Sequence, residues 1–456
     1  MVVNHIFAVL NTSSRSCYNS VTMDPSTAQG TNLLALLRDR LPAKIFSRLQ
    51  EVGALAEQSG ISAYLVGGLV RDLLLGHKNL DVDIAVEGDA VAFAKALVKE
   101  TGAAVKTFPR FGTALVVFPD KFKLDLATTR AESYPYPAAL PVVAPSSIEK
   151  DLRRRDFTIN ALAIRLNDGH FGELLDLYGG QRDLDKKTIR VLHGLSFVED
   201  PTRMFRAIRF EQRFGFRIEK NTRSLLKTAA ASDLVQQLSG ERLQNEIMLL
   251  LSEAHPLRAI RRMDKFGLLQ AIHSDLTLTP KLNAFLSGLG KAVAWWARRF
   301  PARPLDRPVL FLTALLDELH LPATDALVRR LALPERQAGK VRVAKRRVNR
   351  IAQRLARSRL LKPSETRRLL AGLPDEGLAL IIAKAHALKA RQQIGAYVTT
   401  FEHVKPSLTG EDLKALGLKP GPVYKKILDR LLDARLNGEV RSETDERELV
   451  KRIAKP

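Results

Sequence analysis

Cysteine is nearly absent from this chain of 456 residues, which contains only Cys17. A single thiol forms no intrachain disulfide and no cysteine-based zinc site, so a reducing compartment fits. Long apolar runs are also missing, and no stretch reaches the roughly 20 residues that a membrane helix needs. The nine histidines show no metal-binding spacing. These absences favour a cytoplasmic protein without a membrane partner.

Acidic charge is scarce in one part of the chain only. Residues 281–456 carry 36 Lys and Arg against 18 Asp and Glu, whereas residues 1–280 carry 36 against 31. With a net charge of +23, this imbalance predicts that the first part carries the catalytic chemistry and that the second part binds a polyanion. Arginine dominates the surplus, which favours phosphate contact over a merely solubilising surface.

The densest basic run, residues 340–359, contains nine basic residues and no acidic one. Arg346, Arg350 and Arg354 recur every four positions, so a helix places them on one face. Like charges at that spacing weaken an isolated helix, and an RNA backbone would offset their repulsion. A solvated face is the alternative interpretation.

Secondary-structure patterns divide the chain into unequal regions. Residues 1–30 are rich in Ser, Thr and Asn, which predicts a disordered extension or translation from Met23 rather than a transit peptide. Short strands and helices alternate over 61–175, and the Pro-rich stretch 133–146 predicts an irregular loop over the sheet. Strand signals vanish from about residue 183 onward, and amphipathic helices follow. The pattern predicts an α+β chain whose mixed sheet precedes an all-α part.

A glycine pair follows an apolar strand near residue 65. Gly67 and Gly68 predict a tight turn into a helix over residues 69–75, whose free N–H groups attract an anion. Arg71 lies in the first turn, a poor place for a cation unless it faces an anionic ligand. The spacing matches neither GxxxxGK[ST] nor GxGxxG, so ATPase and dinucleotide-fold interpretations have no support. Alone, the pair would most often be a simple turn.

Two aspartates follow on the next predicted strand, DVDIAV. Asp81 and Asp83 are two positions apart, so they share one face and repel each other unless a cation binds. Mg²⁺ takes one or two carboxylates together with substrate phosphates. Asp125, on a second strand, either joins them at this site or is a surface residue at a strand end. A DxD alone is more often a solvated face, and its order after the glycine turn favours the metal site.

Two further blocks carry arginine beside aspartate. DLRRRDFTINALA, residues 151–163, offers guanidinium groups for phosphate and a carboxylate for a ribose hydroxyl, although a capped basic turn explains it equally. VEDPTRMFRAIRF, residues 198–210, predicts a helix with Asp200 as N-cap and Pro201 at its first position. Arg203, Arg206 and Arg209 are spaced by three along one side. The set supplies the acceptors and donors that read a base edge, although capping also explains its start.

Taken together, these blocks resemble the class II tRNA nucleotidyltransferases, the family of CCA-adding enzymes and bacterial poly(A) polymerases in the polymerase-β nucleotidyltransferase superfamily. The resemblance is carried by LVGGLVRDLLLG with DVDIAVEG, RRRDFTINALAI, DLYGGQRDLDKKTIRVL, VEDPTRMFRAIRF and GERLQNEI, over about residues 60–250. It implies a catalytic head over 31–175, a helical neck with the base-selecting motif over 176–275, and an elongated, basic, RNA-binding body and tail over 276–456.

The resemblance also implies roles for individual residues. Asp81 and Asp83 would bind Mg²⁺, with Asp125 as a third catalytic carboxylate. The implied nucleotide-binding residues are Gly67, Gly68 and Arg71 at the triphosphate, Arg153, Arg154, Asp156 and Asn160 at the ribose and phosphates, and Glu199, Asp200, Arg203 and Arg206 at the base. Glu241 and Arg242 would support that pocket, and the 133–146 loop lies where the family has a flexible loop linked to the switch from C to A addition.

The implied reaction is attack of the tRNA 3′-hydroxyl on the α-phosphorus of CTP or ATP, with loss of pyrophosphate. The implied partners are these nucleotides and the 3′ end, acceptor stem and elbow of tRNA. A poly(A) polymerase and enzymes that add only CC or only A share the catalytic blocks and stay open as alternatives. A non-catalytic RNA-binding protein is the alternative from a different class. The sequence leaves the oligomeric state open.

Overall fold

The computed structural model describes residues 31–357 and 360–453, so the extension predicted for residues 1–30 lies outside it. The chain forms two compact units. The first comprises the described residues up to Glu246 together with Glu253–Ile272, and the second comprises Ile247–Ser252 together with the described residues from His273 onward. The finer division into head, neck, body and tail stays a prediction.

A mixed seven-stranded sheet organises the first unit. Its strands are β1 (Ser62–Val66), β2 (Val82–Glu87), β3 (Ala104–Phe108), β4 (Thr113–Val117), β5 (Lys123–Thr128), β8 (Ala163–Arg165) and β9 (Leu174–Leu175), with β6 (Arg130–Ser133) and β7 (Val142–Pro145) forming a separate hairpin. The order across the sheet is β3-β4-β5-β2-β1-β8-β9, and only β2 and β5 run parallel. The predicted mixed sheet and α+β class are therefore confirmed.

The helices of the first unit begin and end where local chemistry favours it. Asp89 caps one helix by accepting from the backbone N–H groups of Val91 and Ala92, and Gly102 ends the same helix in the left-handed conformation. The helices are Leu34–Arg40, Ala43–Gln58, Gly68–Leu75, Ala90–Thr101, Ile148–Arg153, Gly180–Asp185, Ser196–Glu199, Thr202–Phe214, Lys220–Ala230, Leu234–Gln237, Pro256–Lys265 and Leu268–Ile272, with 3₁₀ turns at Pro109–Phe111 and Thr158–Asn160. Helix Gly240–Ser252 runs from this unit into the second.

The Pro-rich stretch 133–146 differs from its prediction as an irregular loop. Its C-terminal part, Val142–Pro145, pairs with Arg130–Ser133 in the antiparallel β6–β7 hairpin, in register from Arg130 opposite Pro145 to Ser133 opposite Val142. The adjacent β-branched residues Val142 and Val143 suit an extended strand, which the proline count masks in the sequence. Only residues 134–141 connect the two strands irregularly.

Strand structure also continues beyond residue 183, against expectation. In the DLDKKTIRVL segment, residues 183–192, which lies in the part predicted to be helical, helix Gly180–Asp185 ends and the chain continues as β10 (Thr188–Ile189). This strand pairs in parallel with β11 (Arg217–Ile218). Lys187 has a positive φ of 52°, which stops the helix, and Ile189 is fully buried. A tertiary contact between distant segments therefore overrides a local helical pattern.

Helices alone build the second unit as far as the structure describes it. They are Pro280–Arg299, Arg307–Leu315, Leu321–Arg330, Glu335–Arg357, Pro363–Leu370, Asp375–Ala385, Leu388–Ala396, Gly410–Ala415, Pro422–Leu436 and Glu443–Ile453, with a π-helical turn at Tyr397–Phe401. Breaks between these helices fall at Pro301–Pro308, Pro334, Pro363 and residues 419–422. Among the described residues, no helix combines the length and apolar character needed to cross a membrane.

Candidate active site

A polar cleft of about 860 Å³ lies within the first unit, between helix Thr202–Phe214 and the end of the sheet where β1 finishes and β2 begins. It gathers segments that are far apart in sequence, including the glycine turn, the DxD strand and the arginine helix. The predicted site residues that line it are Gly67, Gly68, Arg71, Asp81, Asp83, Arg154, Asp156, Asn160, Asp200, Arg203 and Arg206. The predicted residues Asp125, Arg153 and Glu199 are not part of this lining.

Three carboxylates meet where strands β2 and β5 begin. Because these strands are parallel neighbours in register, Asp83 and Asp125 are direct partners across the ladder. Asp83 lines the cleft and is exposed by its surface area. Desolvation of its carboxylate by the surrounding protein is nevertheless the largest cause that raises the pKa of Asp83 to about 6, and the charges of Asp125 and Asp81 add to it while Arg155 opposes them. The pKa of Asp125 is also raised, by desolvation and by Asp81.

This carboxylate group fits a hard divalent cation. All its donors are oxygens, and the charges of Asp125 and Asp81, which add to the desolvation that raises the pKa of Asp83, are ones that a cation would offset. Within the described ranges, no group of three or more His, Cys, Asp or Glu side chains is placed to hold a metal ion. The arrangement therefore matches a metal held by one or two carboxylates and completed by substrate phosphates.

The glycine turn lies against these carboxylates. Gly67 has φ 78° and ψ −143°, a conformation available essentially to glycine alone. A Cβ on Gly67 would lie 3.2 Å from Asp83 Oδ2 and 3.5 Å from Arg155 Nη1. The backbone can therefore approach the carboxylate closely, and the helix that starts at Gly68 presents its free N–H groups beside the predicted metal site.

Arg71 lines the cleft, but its charge is already balanced by the protein. Its guanidinium donates twice to Asp72, at 2.9 Å each, and once to Asn160 Oδ1 at 2.7 Å. It also lies over the rings of Phe210 and Phe214, at 5.4 and 4.7 Å from their centroids. These contacts fix Arg71 and Asn160 in one arrangement, so the cationic first turn has a protein partner besides any ligand.

The three consecutive arginines of the DLRRRDFTINALA segment, residues 151–163 and called the second block below, point in different directions. Arg153 is exposed, whereas Arg154 and Arg155 line the cleft. Both of these donate to Asp151, at 2.8 and 3.0 Å, and Arg154 also reaches Glu132 at 3.0 Å. Arg155 was not among the residues predicted from the sequence, because three adjacent arginines give no indication of which two share a face.

Asp156 is a buried carboxylate held by the arginine helix. It accepts from Asn160 Nδ2 at 2.9 Å, and Arg206 donates to it from Nε at 2.8 Å and contacts it through Nη2 at 2.6 Å. Burial opposes ionisation, but Arg206 and Asn160 outweigh it and hold the pKa of Asp156 below its usual range. The carboxylate therefore stays charged and ties the second block to helix Thr202–Phe214.

Asp200 occupies the junction between a short helix and the arginine helix. Its Oδ1 accepts from the backbone N–H of Thr202 at 3.0 Å, but the helix begins at Thr202 and its N-cap is Pro201, so the predicted N-cap role of Asp200 is wrong by one residue. Arg242 donates to the same Oδ1 at 2.8 Å and to the carbonyl of Ala138 at 2.7 Å. Asp200 is thereby connected, through one guanidinium, to the 134–141 segment.

Arg203 is 4% exposed and firmly bound to the protein. It donates to Ser196 Oγ and to the carbonyl of Arg154, both at 2.8 Å. From the sequence, Arg203 was predicted to bind the base of the nucleotide. In the structure Arg203 also has a structural role, because its donors connect the second block to the segment before the arginine helix.

Glu199 faces His193 rather than the cleft lining, with 3.3 Å between His193 Nε2 and Glu199 Oε2. Burial, reinforced by the charges of Arg203 and Arg153, lowers the pKa of His193 to about 4. Burial also raises the pKa of Glu199. The ring is therefore neutral at pH 7 and can donate one hydrogen bond to the glutamate.

The basic helix Glu335–Arg357 of the second unit divides its cations between two tasks. Lys345 donates to the backbone carbonyl of Leu316, and Arg347 donates to those of Leu369 and Ala371, so both cap helix ends. The exposed residues of this helix include Arg346, Arg350 and Arg354, which have no hydrogen-bond or ion-pair partner in the described part of the chain. Their shared face is the one predicted from the spacing.

Comparison with protein families gives two matches. Residues 63–190 match the poly(A) polymerase head domain, and residues 215–279 match a domain described as a probable RNA- and SrmB-binding site of polymerase A. The first match contains the glycine turn, the carboxylates and the DLRRRDFTINALA block, residues 151–163.

Curated relatives extend over most of the chain. An A-adding tRNA nucleotidyltransferase of Geobacter sulfurreducens is 43% identical over 92% of this chain, which spans 48% of that relative. An enzyme of the same name from Halalkalibacterium halodurans is 31% identical over 91% of this chain and 94% of its own length. A CC-adding tRNA nucleotidyltransferase of Deinococcus radiodurans is 32% identical over 84% and 87%, respectively. The chain thus spans about half the length of the first of these relatives.

Solved structures of CCA-adding enzymes are also similar to this chain. The apo form II structure of a CCA-adding enzyme has a TM-score of 0.83 and 34% identity, and covers 93% of this chain and 99% of its own. The Thermotoga maritima CCA-adding enzyme complexed with tRNA has a TM-score of 0.76 and 32% identity, with the same coverage.

Proposed function

Because this chain belongs to the tRNA nucleotidyltransferase and poly(A) polymerase family, we propose that it adds nucleotides to the 3′ end of tRNA without a nucleic-acid template. The substrates are CTP, ATP or both, and pyrophosphate is released. The observation that carries this proposal is the meeting of Asp83 and Asp125, side by side on parallel strands, with the Gly67 turn in one arginine-lined cleft.

In the proposed reaction, the RNA 3′-hydroxyl attacks the α-phosphorus of the nucleotide. Asp81 and Asp83 would hold Mg²⁺, with Asp125 beside them, and the ion would neutralise charge and lower the pKa of the hydroxyl. The Gly67–Gly68 backbone and the adjoining helix N-terminus bind the phosphates, while Arg154 and Arg155 offset charge that develops on their oxygens.

Base selection is proposed to lie at the start of the arginine helix. Cytosine and adenine both carry an exocyclic amino group, and an ionised carboxylate is an acceptor only. Asp200 Oδ2 is not used by Thr202 or Arg242, which both donate to Oδ1, so it can accept from that amino group. Arg203 supplies donors for the ring acceptors of the base, and Glu199 takes part through its pairing with His193.

The second unit is proposed to bind the acceptor stem and elbow of tRNA. The support is the exposed arginine face of helix Glu335–Arg357, which has no acidic partner among the described residues, and the surplus of basic residues over 281–456. Contacts of this kind are made to phosphates and depend strongly on salt. This proposal also predicts that the enzyme is located in the cytoplasm.

The number and kind of nucleotides added define the sharpest test. The relatives from Geobacter and Halalkalibacterium are named A-adding, which favours addition of the terminal A, and the Deinococcus relative is named CC-adding. Purified protein is incubated with tRNA lacking CCA, CA or A, with CTP, ATP or both, and the products are sized. Growth by A only on tRNA ending in CC supports A addition, growth by up to three nucleotides supports CCA addition, and a long adenylate tail supports a poly(A) polymerase. Tight RNA binding without incorporation would leave a non-catalytic RNA-binding protein.

A further inference from the structure

Asp81 differs from Asp83 in how its backbone is held. Asp83 lies inside β2, where the ladders to β1 and β5 fix its position on both sides. Asp81 precedes the first residue of that strand, so neither ladder includes it. Its backbone N–H donates instead to Oδ1 of Asn79 at 2.9 Å. The position of one proposed metal-binding carboxylate therefore depends on the side chain of a neighbour in the chain.

Asn79 uses the other end of its amide to contact the helix that follows the glycine turn. Its Nδ2 donates to Oδ2 of Asp72 at 2.8 Å. Asp72 is 8% exposed and is itself held by Arg71, which donates to both of its oxygens at 2.9 Å. A Cβ on Gly68 would lie 3.6 Å from Asn79 Nδ2, so the amide lies against the first turn of the helix. Asn79 thus joins the segment before β2 to helix Gly68–Leu75.

The two parts that Asn79 joins have different tasks in the proposed function. The helix N-terminus binds the phosphates of the nucleotide, and Asp81 takes part in binding Mg²⁺. An ion that is coordinated by carboxylate and phosphate oxygens together requires both at a fixed separation, because Mg²⁺ demands nearly ideal octahedral geometry. Residues 77–81, which connect the two parts, contain no helix or strand. The two hydrogen bonds of the Asn79 side chain therefore set this separation.

We propose that Asn79 is a positioning residue, which holds Asp81 beside the glycine turn so that one Mg²⁺ contacts both the carboxylates and the nucleotide phosphates. This inference rests on the proposed nucleotidyl transfer. Asn79 acts through Asp81 and Asp72 and needs no contact of its own with the metal. Residues that orient metal ligands in this way typically contribute about ten- to a hundredfold to metal affinity or activity.

Equilibrium binding of ATP with and without metal tests this role independently of catalysis. The affinity of the full-length protein for ATP is measured by titration calorimetry in Mg²⁺ and in EDTA, with RNA absent. We expect Asn79→Ala to lower the affinity in Mg²⁺ by about tenfold or more. The affinity in EDTA should change little, because the glycine turn is intact. Asn79→Ser keeps an acceptor for the N–H of Asp81 but is too short to reach Asp72, so its affinity in Mg²⁺ should lie between those of Asn79→Ala and the wild type.

Asn167→Ala is the matched control for the loss of a side chain that both accepts and donates. Asn167 is half-buried like Asn79, accepts from the N–H of Ala63 at 2.9 Å and donates to the carbonyl of Ile61 at 2.8 Å. It lies outside the cleft lining, so its variant should lose thermal stability and keep the wild-type affinity for ATP in Mg²⁺. In incorporation assays, Asn79→Ala should raise the Mg²⁺ concentration needed for half-maximal rate and leave KM for tRNA unchanged.

The outcomes separate this inference from the proposed function. Wild-type affinity of Asn79→Ala for ATP in Mg²⁺, or equal affinities of Asn79→Ala and Asn79→Ser, would contradict the positioning role even though the wild-type protein incorporates nucleotides. Equal losses in Mg²⁺ and in EDTA would also contradict it, because the cleft as a whole would then have changed. If Asn79→Ala does not fold, Asn79→Ser decides in its place, and wild-type affinity in that variant overturns the proposal. If the wild-type protein neither binds ATP nor extends tRNA, the proposed function itself fails.

Discussion

At the scale of single residues, the carboxylates form the part of the cleft whose chemistry is most clearly constrained. The raised pKa of Asp83 arises from desolvation first and from the neighbouring charges of Asp125 and Asp81 second. Such crowding lowers the stability of an empty site and favours a bound cation. Residues placed this way are expected to matter far more for activity than for folding.

Replacing Asp81 tests this expectation. We expect Asp81→Ala to reduce nucleotide incorporation by at least about a hundredfold, as for the loss of one preorganised charge-stabilising group, while RNA binding and thermal stability change little. The measurement is the rate of labelled CTP or ATP incorporation into tRNA. Asp168→Asn, an exposed aspartate outside the cleft, is the control and should behave as wild type. Incorporation by Asp81→Ala at the wild-type rate would rule out the catalytic assignment.

His193 provides a prediction about pH. Its pKa is about 4 in the folded protein and 6.5 without perturbation, so the folded state binds fewer protons between these values. Its contribution to stability is complete above pH 6.5 and decreases as the pH falls toward 4, by up to about 3 kcal/mol. Glu199, whose pKa is raised, acts in the opposite direction.

The comparison with His193→Asn isolates the histidine. We expect the wild-type protein to lose more thermal stability than the variant between pH 7 and pH 4.5, because Asn does not titrate. The measured quantity is the difference in unfolding midpoint at each pH. Parallel pH profiles for the two proteins would show that His193 is not held neutral by the fold.

At the scale of elements, the turn between β1 and helix Gly68–Leu75 determines how closely backbone and carboxylate approach. Gly67→Ala must accept φ 78° with ψ −143° and place a Cβ 3.2 Å from Asp83 Oδ2. We expect a stability cost of about 1–3 kcal/mol and a larger loss of incorporation, because the phosphate-binding backbone shifts. Gly102→Ala is the matched control, since its φ is also positive but its Cβ would meet open space. It should cost about 1 kcal/mol and leave incorporation intact, and equal activity losses in the two variants would contradict the role of the turn.

The two elements that were wrong or incomplete in prediction share a cause. The β6–β7 hairpin and the β10–β11 ladder are held by pairing between segments, whereas the sequence patterns concerned only neighbours along the chain. In β10–β11 the partner lies almost 30 residues away. Local propensity is a weak guide wherever such tertiary pairing decides the conformation.

At the scale of the whole molecule, the uneven charge suggests that RNA binding and chemistry are separable. Replacing Arg346, Arg350 and Arg354 together by Gln removes the exposed arginine face of helix Glu335–Arg357. We expect weaker tRNA binding and a plot of log K against log salt that is shallower by about 2 to 3, one phosphate contact per arginine. The turnover rate at saturating tRNA should change little.

Arg347→Gln is the matched control on the same helix. Arg347 donates to the carbonyls of Leu369 and Ala371, each at 2.8 Å, so its loss should lower stability by about 1–2 kcal/mol without changing the salt dependence. Fluorescence or filter binding over a salt series, with thermal unfolding in parallel, measures both quantities. An unchanged slope in the triple variant would indicate a solvated face.

The sequence by itself determined the mixed sheet, the glycine turn, the carboxylate pair and the helical character of the basic part. These follow from period, capping and charge, which act between residues close in the chain. Only the tertiary structure decided that Asp125 stands beside Asp83 and that Arg155 rather than Arg153 lines the cleft. Strand order and helix packing bring these groups together, and the distances involved are not a function of local sequence pattern.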